Sequence, residues 1–215
     1  RIPLRDQRTK RIENMVAIID YGAGNIKSVE NAVRFLDHEA VLTRDREVIL
    51  SADHVILPGV GAFGDAMARL RKYGMDEVLR DVVKRQIPLL GICLGLQLLF
   101  ESSEERPGAE GLGIVAGKIL RIPEGDGRKV PQIGWNDLAF PNTGRLFKGL
   151  SEGVYVYFVH SYYLRAEDPS IVTATTQYGV RIDAAVEKGN VFACQFHPEK
   201  SESVGMKMLE NFLNI

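Results

Sequence analysis

Leu89-Leu90-Gly91-Ile92-Cys93-Leu94-Gly95 joins a short apolar run to a turn that is flanked by glycines. A continuous apolar run of this length is typical of a strand buried on both faces of a sheet. A helical pattern starts directly after the turn and predicts a helix from Leu94 to about Glu101. The stretch therefore predicts a buried strand that passes straight into a helix, which is the repeating unit of a helix-covered parallel sheet.

The same alternation runs through the first half of the chain. Val16–Ile19 has the pattern of a buried strand, Gly22-Ala23-Gly24 is a turn, and apolar residues then recur at helical spacing as far as Leu36. The other elements predicted in this half are strands at Ala40–Thr43 and Val55–Leu57 and helices at Ala62–Lys72 and Met75–Lys84. Alternating strands and helices predict a mainly parallel sheet.

The second half changes to strands that are often interrupted by Gly and Pro, which indicates antiparallel additions to the sheet. A closing amphipathic helix is predicted from Val204 to Leu213. The predicted strands are Ile114–Ile122, Leu138–Phe140, Tyr155–Val159, Ile171–Thr176, Ala184–Val186 and Val191–Phe196. The predicted fold class is α/β, a three-layer sandwich with a mainly parallel central sheet, flanking helices and antiparallel additions.

Residues 1–14 differ from the rest, because they are rich in Arg and Lys and lack apolar periodicity. We interpret them as an N-terminal extension or an expression remnant, with Met15 as the natural start. A genuine disordered arm fits the composition equally well. No linker or repeat divides residues 15–215, which are predicted to form one domain.

Composition excludes several classes of protein. The formal net charge is -1, which gives no support for a nucleic-acid scaffold or a polybasic membrane anchor. No apolar run reaches the roughly 18–20 residues that a membrane span needs. The two cysteines, Cys93 and Cys194, argue against a disulfide framework and favour a reducing compartment, so a cytoplasmic location is expected.

Cys93 occupies the position of a nucleophile in a strand-to-helix elbow, and glycines stand two residues before and after it. A tight turn has no room for bulky neighbours, and the helix start directs free N–H groups at the sulfur, which favours the reactive thiolate. The alternative is a structural cysteine in the core, which this pentapeptide alone does not exclude.

Phe196-His197-Pro198-Glu199 follows the last predicted strand and supplies a base and a carboxylate. A thiol nucleophile needs a base for its proton, and that base needs an orienting carboxylate. Pro198 disfavours helix and is expected to keep His197 extended, so that both side chains point the same way. The other histidines have no metal-ligand spacing with the cysteines, so no metal and no cofactor is expected.

These two motifs, in this order, resemble the signatures of class I (triad-type) glutamine amidotransferases. Four further motifs resemble the branch that forms the glutaminase subunit of imidazole glycerol phosphate synthase, and the resemblance runs from Met15 to the C-terminus. These motifs are Asp20-Tyr21-Gly22-Ala23-Gly24-Asn25, Pro58-Gly59-Val60-Gly61-Ala62-Phe63-Gly64, Pro131-Gln132-Ile133-Gly134-Trp135-Asn136 and Tyr157-Phe158-Val159-His160-Ser161-Tyr162.

The resemblance implies hydrolysis of L-glutamine to glutamate and ammonia. The ammonia would pass through a tunnel to a cyclase subunit, a (β/α)8 barrel in a heterodimer with this chain. The cyclase would use it to make imidazole glycerol phosphate in histidine biosynthesis. Neither nucleic acid nor a membrane takes part.

The resemblance also implies roles for individual residues. Cys93 would attack the side-chain amide of glutamine, His197 would move the protons, and Glu199 would hold the imidazole. Oxyanion donors are implied at Leu94 and at Val60 or Gly61. Residues implied around bound glutamine are Gln97, Glu105, His160, Ser161 and Tyr162, together with Gly61. Residues implied at the cyclase interface are Asn25, Trp135, Tyr157 and Lys200.

Two glycines beside Val60 make rotation of a peptide there inexpensive. We hypothesise that the Pro58–Gly61 segment rests with its N–H turned away from the oxyanion and is set by the partner. The alternative is a plain strand-to-helix turn.

Three other functions stay open at this point. Another member of the same class, such as the glutaminase of anthranilate synthase, would share Cys93 and His197, although the motifs around Asp20–Asn25, Phe63 and Trp135 favour the histidine pathway. A non-catalytic α/β binding protein could keep the elbow for packing alone. A cysteine peptidase of this fold would need a peptide-binding cleft, of which the sequence gives no sign.

Overall fold

The computed structural model describes residues 14–24, 26–125 and 127–215, and all structural statements refer to these ranges. The strands are β1 (Met15–Ile19), β2 (Glu39–Thr43), β3 (His54–Leu57), β4 (Leu89–Ile92), β5 (Ser102–Ser103), β6 (Gly117–Arg121), β7 (Gln132–Asp137), β8 (Tyr155–His160), β9 (Tyr162–Ala166), β10 (Val172–Tyr178), β11 (Val180–Lys188) and β12 (Val191–Cys194). The helices are α1 (Ile26–Phe35), α2 (Arg46–Ser51), α3 (Phe63–Lys72), α4 (Met75–Lys84), α5 (Leu94–Leu98) and α6 (Glu202–Leu213).

Within this part of the chain, the central sheet has seven strands in the order β10-β11-β12-β4-β3-β1-β2. From β2 to β12 the neighbours are parallel, and β11 and β10 then continue the sheet in antiparallel pairing. The predicted fold class is confirmed. The antiparallel additions were only partly predicted, because β5, β6 and β9 form one small sheet of their own and β7 and β8 form another.

Both faces of the central sheet are covered, because β1 sends alternate side chains into two separate cores. Ala17 and Ile19 pack in the core that contains α3, α4 and α5. Val16 and Ile18 pack in the opposite core, which contains α1 and α6. All five residues of β1 are buried, as expected for a strand with helices on both sides.

Several predicted boundaries were wrong for local reasons. Leu138–Phe140 is not a strand, and only Ala139 forms an isolated bridge to Thr175. The strand of that region is β7, whose alternation is inverted, because Ile133 and Trp135 face outward and polar Gln132 is buried. The strand predicted at Ile114–Ile122 is limited to β6, and α2, β5 and β9 were not predicted because each is short or lacks a clean period. None of the helices in the described ranges is long and apolar enough to cross a membrane.

Helix α5 is shorter than predicted. It ends at Leu98 because the next N–H groups, those of Leu99 and Phe100, bond three residues back and tighten the last turn. The N–H of Glu101 then donates to the carbonyl of Gly117, 3.2 Å away, which directs the chain into the small sheet.

Gly95 lets α5 lie directly against the end of β3. A Cβ built on Gly95 would lie 1.9 Å from the carbonyl oxygen of Leu57. No side chain fits there unless the backbone moves, so the elbow keeps its position only with glycine at this site.

We therefore expect Gly95→Ala to destabilise the fold by about 3 kcal/mol or more, because the clash is with backbone. Gly74→Ala is the matched control, since Gly74 has φ +66 and no atom within 4 Å of an added Cβ. That variant should lose only about 1 kcal/mol. Urea unfolding of both variants measures the difference, and equal losses would contradict the packing argument.

Candidate active site

A cavity of about 250 Å³ lies where the carboxyl ends of β3 and β4 meet the β8–β9 connection. It brings together the predicted catalytic, oxyanion and substrate-binding residues, apart from Glu199. The residues that line it are Val60, Gly61, Cys93, Leu94, Gln97, Glu105, Val159, His160, Ser161, Tyr162 and His197. Residues from distant parts of the sequence thus share one small space.

Cys93 forms the predicted elbow between β4 and α5. Its backbone has φ 55 and ψ -110, a conformation that costs an L residue roughly 1–3 kcal/mol and is typical of functional sites. Its N–H donates to the carbonyl of Cys194 at 2.8 Å, which ties the elbow to β12. The other cysteine is no competitor, because burial raises the pKa of the Cys194 thiol well above its ordinary value.

His197 and Glu199 form a buried pair beside the elbow. Nδ1 of His197 lies 2.8 Å from Oε1 of Glu199, and the two side chains are 2% and 1% exposed. His197 is extended as predicted, whereas Pro198–Lys200 is a 3-10 turn that was predicted to be extended. The turn brings Glu199 back to the ring. The carboxylate must accept from Nδ1, so Nε2 is left for chemistry, and it has no hydrogen-bond partner among the described residues.

The charge of His197 is set by opposing effects. Burial disfavours the imidazolium, but the Cys93 thiol and the Glu199 carboxylate outweigh it and raise the pKa of His197 to about 9. The geometry agrees with this balance, because Nδ1 of His197 lies 2.8 Å from Glu199 and Cys93 lines the same cavity as His197.

The predicted oxyanion donors do not converge in this structure. The N–H of Leu94 donates to the carbonyl of Gly59 at 3.3 Å. The peptide between Gly59 and Val60 is planar and trans, so the N–H of Val60 points away from Leu94. Gly61 follows with φ +100, which only glycine adopts easily. The Val60 N–H thus has the orientation that the sequence hypothesis gives it, and the control by a partner stays a prediction.

The ends of this segment are held by side chains. The Tyr21 hydroxyl donates to the carbonyl of Pro58 at 2.8 Å, in a buried position. At the other end, the N–H of Phe63 donates to Oε2 of Glu105 at 2.7 Å. Glu105, predicted to contact substrate, therefore also anchors the start of α3. The peptides of Gly59 to Ala62 lie between these two anchors.

His160 lines the cavity, but its ring is engaged within the protein. Nδ1 lies 2.8 Å from the carbonyl of Tyr162, and Nε2 lies 2.9 Å from the side-chain amide of Gln132. Burial lowers the pKa of His160 to about 4, so the ring is neutral at pH 7. Nδ1 must then donate and Nε2 accept, which requires the Gln132 amide to present its nitrogen. His160 thus shapes the backbone of this wall, and its ring is not free to bind substrate.

Gln97 and Tyr162 are also brought together as predicted. Nε2 of Gln97 donates to the carbonyl of Tyr162 at 3.1 Å and to Oε1 of Gln195 at 3.1 Å. Gln195 was not predicted to be a site residue. The available signal was a single amide two residues before His197, within the apolar run Val191–Phe196.

Three of the four predicted interface residues lie on the surface near the cavity. Trp135 is 46% exposed, and its ring contacts Tyr157 on the paired strand, with ring centroids 6.0 Å apart. Lys200 is exposed beyond Glu199, and the N–H of Tyr157 donates to Ser201 beside it. The fourth residue, Asn25, lies outside the described residues, as does most of the 1–14 segment.

No group of three or more His, Cys, Asp or Glu residues in the described ranges is arranged to hold a metal ion. The described residues of the cavity include a thiol, an imidazole, a carboxylate and backbone N–H groups.

Sequence comparison places this site in a family. The glutamine amidotransferase class-I profile matches residues 17–215. The imidazole glycerol phosphate synthase subunit HisH of Dehalococcoides mccartyi strain CBDB1 is 50% identical over 201 residues, covering 94% of this chain and 97% of the relative. The HisH subunit of Moorella thermoacetica is 49% identical over 197 residues, covering 92% of this chain and 93% of the relative.

Solved structures with low identity share the fold. A crystal structure of a glutamine amidotransferase superposes with a TM-score of 0.72 at 23% identity, covering 93% of this chain and 99% of the other. The structure of PurLQS from Thermotoga maritima gives a TM-score of 0.73 at 22% identity, covering 93% of this chain and 97% of the other. This chain therefore belongs to the class-I glutamine amidotransferase family, and within it to the group of HisH subunits of imidazole glycerol phosphate synthase.

Proposed function

We propose that the chain is the glutaminase subunit of imidazole glycerol phosphate synthase and hydrolyses L-glutamine to glutamate and ammonia for histidine biosynthesis. The observation that carries the proposal is that Cys93 and His197 line one cavity. Nδ1 of His197 lies 2.8 Å from Oε1 of Glu199, and Nε2, the other ring nitrogen, has no partner among the described residues. The cavity of about 250 Å³ is smaller than the roughly 300–1,000 Å³ of sites for drug-sized ligands, so it suits a single amino acid better than a peptide.

In the proposed reaction, the Cys93 sulfur attacks the side-chain amide carbon of glutamine and forms a thioester. Nε2 of His197 gives its proton to the amide nitrogen, which leaves as ammonia when the C–N bond breaks, and afterwards takes a proton from the water that hydrolyses the thioester and releases the Cys93 sulfur. Glu199 keeps the imidazole in the tautomer that leaves Nε2 facing the reaction. Both reaction steps pass through a tetrahedral oxyanion, for which backbone N–H groups are needed.

The oxyanion site is proposed to be completed by the partner. In the resting arrangement the carbonyl of Gly59 occupies the N–H of Leu94, which cannot then stabilise an oxyanion. Rotation of the Gly59–Val60 peptide would release Leu94 and turn the Val60 N–H inward. Losing one such donor typically costs about 10²–10³ in rate, so the rotation would couple glutamine hydrolysis to the partner.

The partner is proposed to be a cyclase subunit with a (β/α)8 barrel, in a heterodimer that passes ammonia between the sites. The support is an exposed apolar surface on β7 and β8, close to the cavity. Ile133 and Trp135 on this face are 64% and 46% exposed, and such residues are common interface anchors.

We further propose that residues 15–215 form the amidotransferase domain and that residues 1–14 are an extension. We also propose that the enzyme works in the cytoplasm, where thiols stay reduced.

The direct test is ammonia release from glutamine, measured with the chain alone and with a matching cyclase that holds its nucleotide ligand. We expect strong stimulation by the cyclase and no release by Cys93→Ser. Cys194→Ser is the control and should keep its activity. Stimulation that is absent, or that survives in Cys93→Ser, would contradict the proposed function.

The pH dependence of His197 gives a second prediction. The folded pKa of about 9 lies above the ordinary histidine pKa of 6.5, so charged His197 stabilises the fold fully below pH 6.5, and this contribution disappears as the pH rises through 9. Glu199→Gln removes the carboxylate that raises the pKa of His197, while the ring stays buried, so this pKa should fall by about one unit or more. NMR titration of the imidazole measures it, and an unchanged midpoint would show that Glu199 does not act on the ring.

Gly61→Ala tests the peptide rotation. The new Cβ meets no atom within 4 Å, so the substitution acts only through φ +100, which Ala disfavours. Rotation of the Gly59–Val60 peptide turns ψ of Gly59 and φ of Val60, and we expect Gly61, the next residue, to leave its positive φ as the segment adjusts. Ala then penalises the resting arrangement alone, so the ratio of cyclase-stimulated to basal glutaminase activity should fall by about fivefold or more, while KM for glutamine changes less than about twofold.

Gly113→Ala is the control for Gly61→Ala, since Gly113 also has a positive φ, +60, and open space around it. It should leave the ratio unchanged. Equal loss of activity with and without the cyclase in Gly61→Ala would contradict partner control of this segment.

A further inference from the structure

Gln195 lies between β12 and the catalytic turn and is completely buried, with 0% of its surface exposed. Its backbone N–H donates to the carbonyl of Ala184 at 2.8 Å, which continues the pairing with β11. Its side-chain Oε1 accepts from Nε2 of Gln97 at 3.1 Å, and its Nε2 lies 3.7 Å from Sγ of Cys93. Both ends of this buried amide thus contact residues of the cavity.

The orientation of the amide follows from its neighbours. The backbone carbonyl of Tyr162 can only accept a hydrogen bond, so the side-chain group of Gln97 that faces it must be the NH₂ group. That NH₂ group also faces Gln195, which must therefore present its oxygen to Gln97. The nitrogen of Gln195 is left pointing at Sγ of Cys93. The carbonyl of Tyr162 thus sets the orientation of both amides in turn, so that Gln195 presents an N–H donor to the sulfur.

We propose that Gln195 is a positioning residue that holds Sγ of Cys93 through its amide N–H and orients Gln97 through its amide oxygen. The inference rests on the proposed glutaminase function and adds to it a residue outside the triad. An N–H donor favours the thiolate over the thiol, because hydrogen bonding to the charged form stabilises it. The thiolate is both the attacking group and the group expelled when the thioester is hydrolysed, so the same contact serves both steps.

The contact with Gln97 has a consequence for the substrate wall. Both hydrogens of the Gln97 amide nitrogen are used by Tyr162 and Gln195, so Oε1 is the only polar atom of that side chain left for a ligand. Gln97 would therefore accept a hydrogen bond from bound glutamine. Linked hydrogen bonds in a buried site polarise one another, so the chain of amides strengthens the donor at the sulfur.

The test is the pH dependence of Cys93 alkylation by iodoacetamide on the intact chain, followed by mass spectrometry so that Cys93 and Cys194 are resolved. Gln195→Met keeps the approximate volume and removes the donor. We expect the midpoint pH of alkylation to rise by roughly 0.5–1 unit, because the thiolate loses a hydrogen bond. Purely structural packing of Gln195 would leave this midpoint where it is.

Gln132→Met is the matched control, because Gln132 is 3% exposed and its side chain contacts His160 rather than the sulfur. Its midpoint for Cys93 should not move. If Gln195→Met does not fold, Gln97→Met serves instead, since it leaves Gln195 in place and removes the group that orients it. A smaller upward shift is then expected.

The proposal is overturned if the midpoint pH of Cys93 alkylation is unchanged in folded Gln195→Met. Where Gln195→Met does not fold, an unchanged midpoint in Gln97→Met has the same meaning. Alkylation needs no turnover of glutamine, so this result is independent of the proposed function. A chain that released no ammonia with its cyclase but showed the expected shift would refute the glutaminase function and keep the role of Gln195.

Discussion

The parallel pairing of β4 with β12 is the constraint on which the site depends. Ile92 stands opposite Cys194 in this pairing, and the N–H of Cys93 donates to the carbonyl of Cys194 at 2.8 Å. The two strands therefore end at the same edge of the sheet, one in the elbow that carries the sulfur and the other in the segment that carries the imidazole. Parallel strands place their carboxyl ends together, and ligand sites in open α/β sheets lie at this edge. A slip of one residue in this register would turn His197 to the other face.

The same edge holds polar groups that would be costly if they were unpaired. Glu199 and His197 are both almost fully buried, and each makes the burial of the other tolerable through the bond between Nδ1 and Oε1. Gln97 and Gln195 pair their amides in the interior. Among the described residues, Nε2 of His197 and Oε2 of Glu199 are buried at this edge without a hydrogen-bond partner, and both belong to the proposed triad. Apolar substitutes would pack well here but would remove the chemistry.

The fold class followed from the sequence because it depends on local patterns. Buried strands such as Met15–Ile19 and helices such as Met75–Lys84 have periods that are visible in single segments. The strand β7 was missed because its pattern is inverted, with Ile133 and Trp135 facing outward and Gln132 buried. The elbow and the His-x-Glu segment were found because chemistry restricts residue types there, whereas Gln195 was overlooked because its role arises only from contacts across 98 and 102 residues of sequence.

In the proposed mechanism, one planar peptide of the Pro58–Gly61 segment holds the enzyme at rest. The carbonyl of Gly59 and the N–H of Val60 point in opposite directions, so Leu94 is either bonded to that carbonyl or free to act beside the Val60 N–H. Tyr21 and Glu105 fix the two ends, which confines the change to the peptides between them. A partner can shift such an equilibrium only by binding one arrangement more tightly than the other. To raise the active arrangement from about 1% to about 99% of the population, the partner must bind it about 5.5 kcal/mol more tightly than the resting arrangement. A large interface next to the segment can supply this difference in binding free energy more easily than a small ligand alone.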